Sequence, residues 1–178
     1  STPMTEILAI EAIRLVSNNL PAAYAKANNI DAKFNMLFAA TLAGLSWASG
    51  GLGATHALAY ALETLHHMSH ARAVSLMLPY VMDYNKIGNL EKYGLIAATM
   101  GENIDGLDKY GAAQKAVTAV KNLLENLRIS IRLKDYGISA EMVPKLTTEA
   151  MKYARLFVPN PRDLSEEDVR NIFSVASQ

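Results

Sequence analysis

The sequence has no cysteine among its 178 residues. That absence removes disulfide bridges, thiolate zinc sites and cysteine nucleophiles together. It suits a reducing compartment, so we expect a cytoplasmic protein. A transition-metal site in this chain has to be built from histidine and carboxylate ligands.

The chain also lacks an excess of charge, because its 17 basic residues balance 17 acidic ones. Binding to nucleic acid or to an anionic membrane surface requires a concentrated face of lysine and arginine. The sequence contains no such face. We therefore expect no nucleic-acid partner and no membrane partner.

One long segment, between Lys33 and Glu63, lacks charged residues entirely. Its length meets the criterion for a membrane span. Glycines interrupt it at positions 44, 50, 51 and 53, however, and serine, threonine and histidine are scattered through it. The pattern favours two buried helices joined at a glycine turn.

Strand signals are missing as well. The sequence shows no useful period-two alternation, no strand–glycine–helix phosphate loop and no internal repeat. Apolar residues recur instead at helical spacing, most clearly in an amphipathic segment from Tyr110 to Leu127. With 51% apolar residues, the chain is predicted to form one all-α domain, a helical bundle over residues 1–178.

Capping residues and helix breakers predict the ends of the early helices. Thr2 and Pro3 start the first helix, which is expected to end before Pro21. A short helix should follow from Pro21 towards residue 28. Asp31 is then predicted to cap an apolar helix that runs through residue 48.

Similar signals occur later in the chain. Ser69 is a candidate cap for a helix that begins at His70, and Pro79 should kink that helix near Leu78. Gly88 opens a further helix through residue 100. Three more positions are candidate caps: Ser139, Thr147 or Thr148, and Ser165.

All four histidines fall between positions 56 and 70, at His56, His66, His67 and His70. Neutral imidazole is the commonest protein ligand for divalent transition metals, and bundles often gather such ligands from neighbouring helices. If this chain performs chemistry, the histidine window is where it occurs.

Helical geometry restricts which of these residues can act together. His56, Tyr60, Glu63 and His67 lie on one stripe of a helix, from which His66 is turned away. His56 and His70 are 14 positions apart, or about 21 Å along an unbroken helix. The two can share an ion only if the helix ends before His70.

The window resembles the signature G-x-x-H-x-x-A-H-x-x-G-x-x-x-x-x-P-H-G of the iron-containing (group III) alcohol dehydrogenases, whose fold is dehydroquinate synthase-like. Gly53, His56, Ala59 and His70 fall on it in register. Flanking runs agree, among them Ser49-Gly-Gly-Leu-Gly53, Leu78-Pro79-Tyr-Val-Met-Asp-Tyr-Asn85 and Asn160-Pro161-Arg162. Over the whole chain, the sequence is similar to the helical C-terminal domain of that family.

The resemblance implies a metal-dependent alcohol dehydrogenase. In the family one divalent metal, iron or zinc, is held by an aspartate, a histidine four residues after it and the two signature histidines. His56 and His70 would be the last two ligands, with iron preferred here and zinc as the alternative. The metal polarises the alcohol oxygen, and hydride passes to NAD or NADP as the alcohol becomes an aldehyde or ketone.

The resemblance also implies that part of the enzyme lies outside this chain. The first two ligands and the N-terminal nucleotide-binding domain would precede Ser1. This chain alone is therefore expected to be inactive, with the missing domain and a small alcohol or aldehyde as its partners. The cleft face left without that domain favours a homo-oligomer.

Tyr60 departs from the family pattern, which has a histidine at that position. A tyrosine there can still hydrogen-bond an alcohol or ribose hydroxyl, which makes Tyr60 a candidate catalytic residue. Its phenol is a poorer proton carrier near neutral pH than an imidazole. Glu63, Ser69 and Ala71 replace the family's glycine, proline and glycine.

Other residues are candidates for the substrate pocket. Trp47 lies where relatives tend to place an aromatic residue at that pocket, although a sole tryptophan in an apolar helix is as often core. Leu156 and Phe157 are candidates too, with core packing as the competing explanation. His66 and His67 are interpreted as solvated residues or as neighbours of the ligands.

The same residues allow two alternatives. Glu63 and His66 form the E-x-x-H spacing of di-iron bundles, but such sites need a second copy and two more glutamates. The other alternative is a helical assembly or interaction module of the same family that has lost catalysis. Tyr60 and Glu63 favour this second hypothesis, because a polar residue that replaces a family residue at a buried position usually has a role or a partner.

Overall fold

The computed structural model describes residues 2–178, and these residues contain helices and no strands, which confirms the all-α prediction. Short 3₁₀ turns lie at Lys86–Gly88, Leu133–Tyr136, Ala140–Met142 and Ala154–Phe157. The α-helices are α1 (Pro3–Ala25), α2 (Ile30–Gly50), α3 (Ala54–His66), α4 (His70–Asn85), α5 (Leu90–Thr99), α6 (Lys109–Asn126), α7 (Val143–Met151) and α8 (Glu166–Ala176).

Two of the predicted helix starts are confirmed by their hydrogen bonds. Thr2 caps α1 by accepting from the amide of Thr5, with Pro3 as the first helical residue. Ser165 caps α8, where the hydroxyl accepts from the Asp168 amide and the Asp168 carboxylate accepts from the Ser165 amide. Such reciprocal bonds satisfy amides that the first helical turn leaves without partners.

The predicted end before Pro21 is wrong, because α1 continues through this residue to Ala25. A proline inside a helix removes one backbone hydrogen bond, and tertiary contacts can offset that loss. Here α1 packs along α2, and the Asn35 side-chain amide donates to the Asn19 side chain at 2.9 Å. The separate short helix predicted after Pro21 is part of α1.

Two predicted caps are also wrong. Asn29, rather than Asp31, caps α2 by accepting from the Ala32 amide at 3.1 Å, and Asp31 lies in the first helical turn. Thr147 and Thr148 lie inside α7, where their hydroxyls donate to backbone carbonyls one turn earlier. Ser69 and Ser139 precede helical segments, but neither side chain makes a capping hydrogen bond.

The chain groups into two compact units, each made of two separate stretches of sequence. The first unit contains the residues up to Gly51 together with Leu90–Leu127. In it α1 packs against α2, α5 packs against α6, and α1 also touches α5 and α6. A small apolar cluster forms where α1 meets α2, built from Ala12, Leu15, Ala39 and Leu42.

The second unit contains Leu52–Asn89 and Arg128–Gln178. Helix α3 is its centre, because it packs against α4, α7 and the 3₁₀ turn Ala154–Phe157, while α8 covers α4 and α7. Its core includes nine residues of α3 and α4 that are fully excluded from solvent: Ala54, Ala57, Leu58, Ala59, Ala61, Leu62, Ala73, Leu76 and Met77.

No single helix among residues 2–178 combines the length and the apolar character needed to cross a membrane. The long uncharged segment is divided between α2 and α3, which are separated at residues 51–53. Only taken together do these two helices have the length and apolar composition of a membrane span. The expected glycine turn between two helices is confirmed. The expectation that both helices are buried is wrong for α2, because this helix packs against α1 and leaves large apolar residues such as Phe34 and Leu37 exposed.

Candidate metal centre

Helix α3 carries the first candidate ligand, His56, and is fixed by small side chains. Ala54, Ala57, Ala59 and Ala61 are all excluded from solvent, which allows the neighbouring helices to approach the backbone of α3 closely. His56 lies on the partly exposed stripe of the same helix. A well-packed helix therefore holds this imidazole at its first turn.

Asn160 fixes the start of α3. Its side-chain oxygen accepts from the Ala54 amide at 3.3 Å and from the Asn85 amide group at 2.8 Å. Its nitrogen donates to the Asn85 side chain at 2.7 Å and to the Arg162 carbonyl at 2.6 Å. A Cβ at Gly53 would stand 3.3 Å from the same Asn160 oxygen, so this approach favours glycine.

These contacts bring together runs that flank the histidine window in the sequence. Besides Asn85 and Asn160, the Arg162 guanidinium stacks over the Tyr84 ring at 3.9 Å and donates to the Tyr84 carbonyl at 3.1 Å. The run that contains Asn85 and the run that contains Asn160 thus hold the beginning of α3 against the end of α4.

The helix break required between His56 and His70 is present. Helix α3 ends at His66, and His67 adopts the left-handed conformation, with φ of 51° and ψ of 30°. The His67 amide donates to the Glu63 carbonyl at 3.0 Å, as in the αL type of helix end. Helix α4 then begins at His70.

The break allows His56 and His70 to converge. Their ring centres lie 5.5 Å apart, compared with the roughly 21 Å expected for an unbroken helix. Tyr60 lies beside both rings, with its ring centre 6.3 Å from that of His56 and 5.9 Å from that of His70. The structure therefore gathers three of the residues selected from the sequence.

Glu63 completes the cluster. Its carboxylate oxygen Oε1 lies 2.8 Å from His70 Nδ1, a contact that the sequence reasoning missed. In the sequence, Glu63 is a departure from the family pattern, a member of the helical stripe and part of the E-x-x-H spacing with His66. The stripe was an available signal, because it places Glu63 on the face of α3 that carries His56.

Tyr153 is a second residue that the sequence reasoning missed. Its ring meets the Tyr60 ring edge-on, with 5.1 Å between centres, and its hydroxyl lies 3.4 Å from the Thr64 hydroxyl. Tyr153 belongs to the segment after α7, far from the window in sequence. No local pattern connects it with Tyr60, so only the packing shows this neighbour.

The surroundings of His56 favour its neutral form. Burial lowers the pKa of His56 below the ordinary value, and the neighbouring His70 lowers it further, against an opposing effect of Glu63. A neutral imidazole has the free lone pair that a metal ligand needs.

The remaining candidates from the sequence lie on α2, on the 3₁₀ turn Ala154–Phe157 and at the end of α3. Trp47 belongs to α2 in the first unit, is about half exposed at 53%, and lines a cavity of about 280 Å³ with residues of α1 and α5. Leu156 and Phe157 pack against the core of the second unit. His67 is exposed, whereas His66 is partly buried and its Nε2 has no hydrogen-bond partner within residues 2–178.

The separation of the two rings fits a shared metal ion. Imidazole nitrogens bind such ions at about 2.0–2.1 Å, so two rings on one tetrahedral ion have centres roughly 5 Å apart. The observed 5.5 Å agrees with that figure. Among residues 2–178, however, no group of three or more potential ligands is arranged to hold an ion. The residues present fit half of a four-ligand site.

Comparison with known proteins agrees with these motifs. Residues 1–177 match the model of the Fe-containing alcohol dehydrogenase family, C-terminal part. The chain is 39% identical over 176 residues to 1,3-propanediol dehydrogenase from Klebsiella pneumoniae. The aligned region covers 99% of this chain and 45% of that protein. It is 30% identical to the NAD-dependent methanol dehydrogenase of Bacillus methanolicus, covering 99% of this chain and 46% of that protein.

Solved structures give the same picture. The crystal structure of a 1,3-propanediol oxidoreductase superposes with a TM-score of 0.95 at 38% identity, covering 99% of this chain and 46% of that one. The structure of an alcohol dehydrogenase from Oenococcus oeni superposes with a TM-score of 0.94 at 35% identity. The match covers 98% of this chain and 45% of that one. This chain therefore spans less than half the length of the relatives it matches, and it belongs to the Fe-containing alcohol dehydrogenase family, whose C-terminal part it represents.

Proposed function

We propose that this chain is the metal-binding half of an NAD(P)-dependent alcohol dehydrogenase, which oxidises an alcohol to an aldehyde or ketone by hydride transfer. The observation that carries the proposal is the convergence of His56 and His70 across the break between α3 and α4, with 5.5 Å between ring centres. The relatives named above, a propanediol and a methanol dehydrogenase, support the reaction class.

In this proposal His56 and His70 supply two ligands to one divalent ion, iron first and zinc as the alternative. The two further ligands and the nucleotide-binding domain come from sequence that this chain does not contain. A bound divalent ion supplies Lewis acidity, which favours ionisation of an alcohol hydroxyl. NAD or NADP would accept the hydride in the full-length enzyme.

The residues around the two imidazoles have complementary tasks. The well-packed helix α3 fixes His56, and the lowered pKa of His56 favours the neutral ring, the form that can bind a cation. Tyr60 lies beside both rings and is the candidate to hydrogen-bond the alcohol hydroxyl. Trp47 stays a candidate for the substrate pocket.

The substrate and partner proposals follow from the same family. A small alcohol or aldehyde is the proposed substrate, and the missing nucleotide-binding domain is the proposed partner within the enzyme. A homo-oligomer is favoured by large apolar side chains that remain exposed in the first unit, including Phe34, Leu37 and Phe38.

Elemental analysis of the full-length protein, with His56→Ala and His70→Ala, tests the ligand assignment. We expect about one metal per chain in the parent and loss of metal in both variants, because the remaining ligands cannot close the site. His67→Asn is the matched control, since His67 is exposed and asparagine tolerates its left-handed conformation. Full metal occupancy in either alanine variant contradicts the assignment.

A catalytically retired helical module of the same family is the alternative. The edge-on packing of Tyr60 against Tyr153 favours it, because this tyrosine has a structural partner where the family pattern has histidine. A folded full-length protein without metal, and without activity in a screen of alcohols with NAD and NADP, would support the module.

A further inference from the structure

The rings of His56 and Tyr60 pack beside His70, but much of the His70 side chain faces solvent. His70 is the first residue of α4, and 53% of its side chain is exposed. His56, in contrast, lies on a helix whose neighbouring residues are excluded from solvent. An exposed imidazole can rotate about its side-chain torsions, so some other contact has to fix the direction of its lone pair.

The Glu63 carboxylate makes that contact. Oε1 lies 2.8 Å from His70 Nδ1, and only 27% of the Glu63 side chain is exposed. The bond joins the last turn of α3 to the first residue of α4, across the left-handed residue His67. It therefore ties the ring of His70 to the helix that carries His56.

The chemistry of the bond determines which nitrogen of His70 is free. An ionised carboxylate only accepts hydrogen bonds, so Nδ1 carries the proton and donates. In the neutral imidazole the lone pair then resides on Nε2. Carboxylates paired in this way with metal-binding histidines fix the tautomer and ring orientation and raise the basicity of the ligand.

We propose that Glu63 is a positioning residue, which holds His70 as the Nδ1–H tautomer with Nε2 directed to the metal. The proposal rests on the proposed function, in which His70 is a ligand. It assigns a role to a residue that replaces the glycine of the family pattern, where no side chain can make this bond. Glu63 also places a negative charge beside two neutral ligands, which favours a divalent cation.

The tautomer can be measured without any metal. In the metal-free full-length protein labelled with ¹⁵N-histidine, long-range proton–nitrogen spectra distinguish protonated from unprotonated ring nitrogens, and His70→Ala identifies the signals of His70. We expect the Nδ1–H form of His70 in the parent. Glu63→Ala should lose this preference, and Glu63→Gln should retain part of it because the amide oxygen still accepts.

Metal affinity, measured by competition with a chelator, is the second readout. We expect Glu63→Ala to bind iron or zinc about 10- to 100-fold more weakly, with Glu63→Gln between it and the parent. Glu141→Gln is the matched control, because Glu141 is exposed on a 3₁₀ turn of the same unit. Thermal unfolding of each variant shows that the fold is retained.

The outcomes separate this inference from the proposed function. If His70→Ala loses the metal while Glu63→Ala keeps parental affinity, the positioning role is overturned and the ligand assignment stands. An unchanged His70 tautomer in Glu63→Ala also overturns it. If His70→Ala keeps the metal, the proposed ligand set itself fails, whatever the Glu63 variants show.

Discussion

Asn160 connects three segments of the chain around the candidate site. Its side chain bonds to the amide of Ala54, to the side chain of Asn85 and to the carbonyl of Arg162. Asn85 is nearly excluded from solvent, at 5% exposure, so its amide has little access to water. A buried polar group without a partner costs more free energy than a made hydrogen bond gains.

We therefore predict that Asn160→Ala lowers the free energy of unfolding by about 1–3 kcal/mol, because it leaves Asn85 and the Ala54 amide without partners. Denaturant unfolding measures the change. Asn103→Ala is the control, since the Asn103 side chain accepts a local bond from the Asp105 amide in an exposed turn. Equal stability of the two variants would show that Asn160 does not anchor α3.

His66 is a second residue whose surroundings have a measurable consequence. Burial lowers the pKa of His66, and the neighbouring His67 lowers it further. Within the described residues 2–178 its Nε2 is buried without a hydrogen-bond partner, so a proton there would lack an acceptor. The folded protein therefore binds this proton less readily than the unfolded chain.

We predict a loss of stability on acidification that depends on His66. Because the pKa of His66 is lowered in the folded state, this stability is present above about pH 6.5, the ordinary pKa of histidine, and is lost as the pH falls from there through the lowered pKa of the folded protein. His66→Leu should show a smaller decrease in the free energy of unfolding between about pH 7.5 and about pH 5.5. The same decrease in both proteins would contradict the prediction.

At the scale of elements, the break between α3 and α4 makes the candidate site possible. The sequence predicted it from the distance that separates His56 and His70 and from Ser69 as a cap. The structure has the break at that place, but a different residue produces it. Ser69 makes no side-chain capping bond, and His67 turns the chain in the left-handed conformation. A histidine in that conformation carries no local signal as clear as glycine.

We predict that His67→Gly raises the melting temperature of the protein. Glycine adopts the left-handed region without the steric penalty of a Cβ, which is worth roughly 1 kcal/mol at such a position. His67→Val should lower it, because a β-branched residue is strained there. Thermal unfolding of the two variants tests both predicted changes in melting temperature. A lower melting temperature for His67→Gly would contradict the prediction.

Other elements show the limits of local patterns. The amphipathic segment predicted from Tyr110 to Leu127 is confirmed as α6, since its apolar stripe faces the interior of the first unit. Pro21 misled the prediction, because a proline lowers helix stability locally while packing of α1 on α2 acts over the whole helix. The terminal cap at Ser165 was predictable because capping depends on residues three positions apart.

At the scale of the whole molecule, each of the two compact units combines stretches from separate parts of the chain. The second unit joins Leu52–Asn89 to Arg128–Gln178 and contains all four histidines. The prediction that residues 1–178 form one domain stays a prediction. Periodicity identifies the helices, but it does not state which helices pack together.

The sequence by itself determined the helical class, several helix ends, the family and the two histidines that are proposed to bind metal. These features follow from the spacing of nearby residues and from the identity of motifs, and both are visible in the sequence. Only the tertiary structure decided that Asn160 anchors α3, that Glu63 bonds to His70 and that Tyr153 packs on Tyr60. Those contacts depend on how helices and turns are placed against one another, and that placement arises from the packing of many side chains at once.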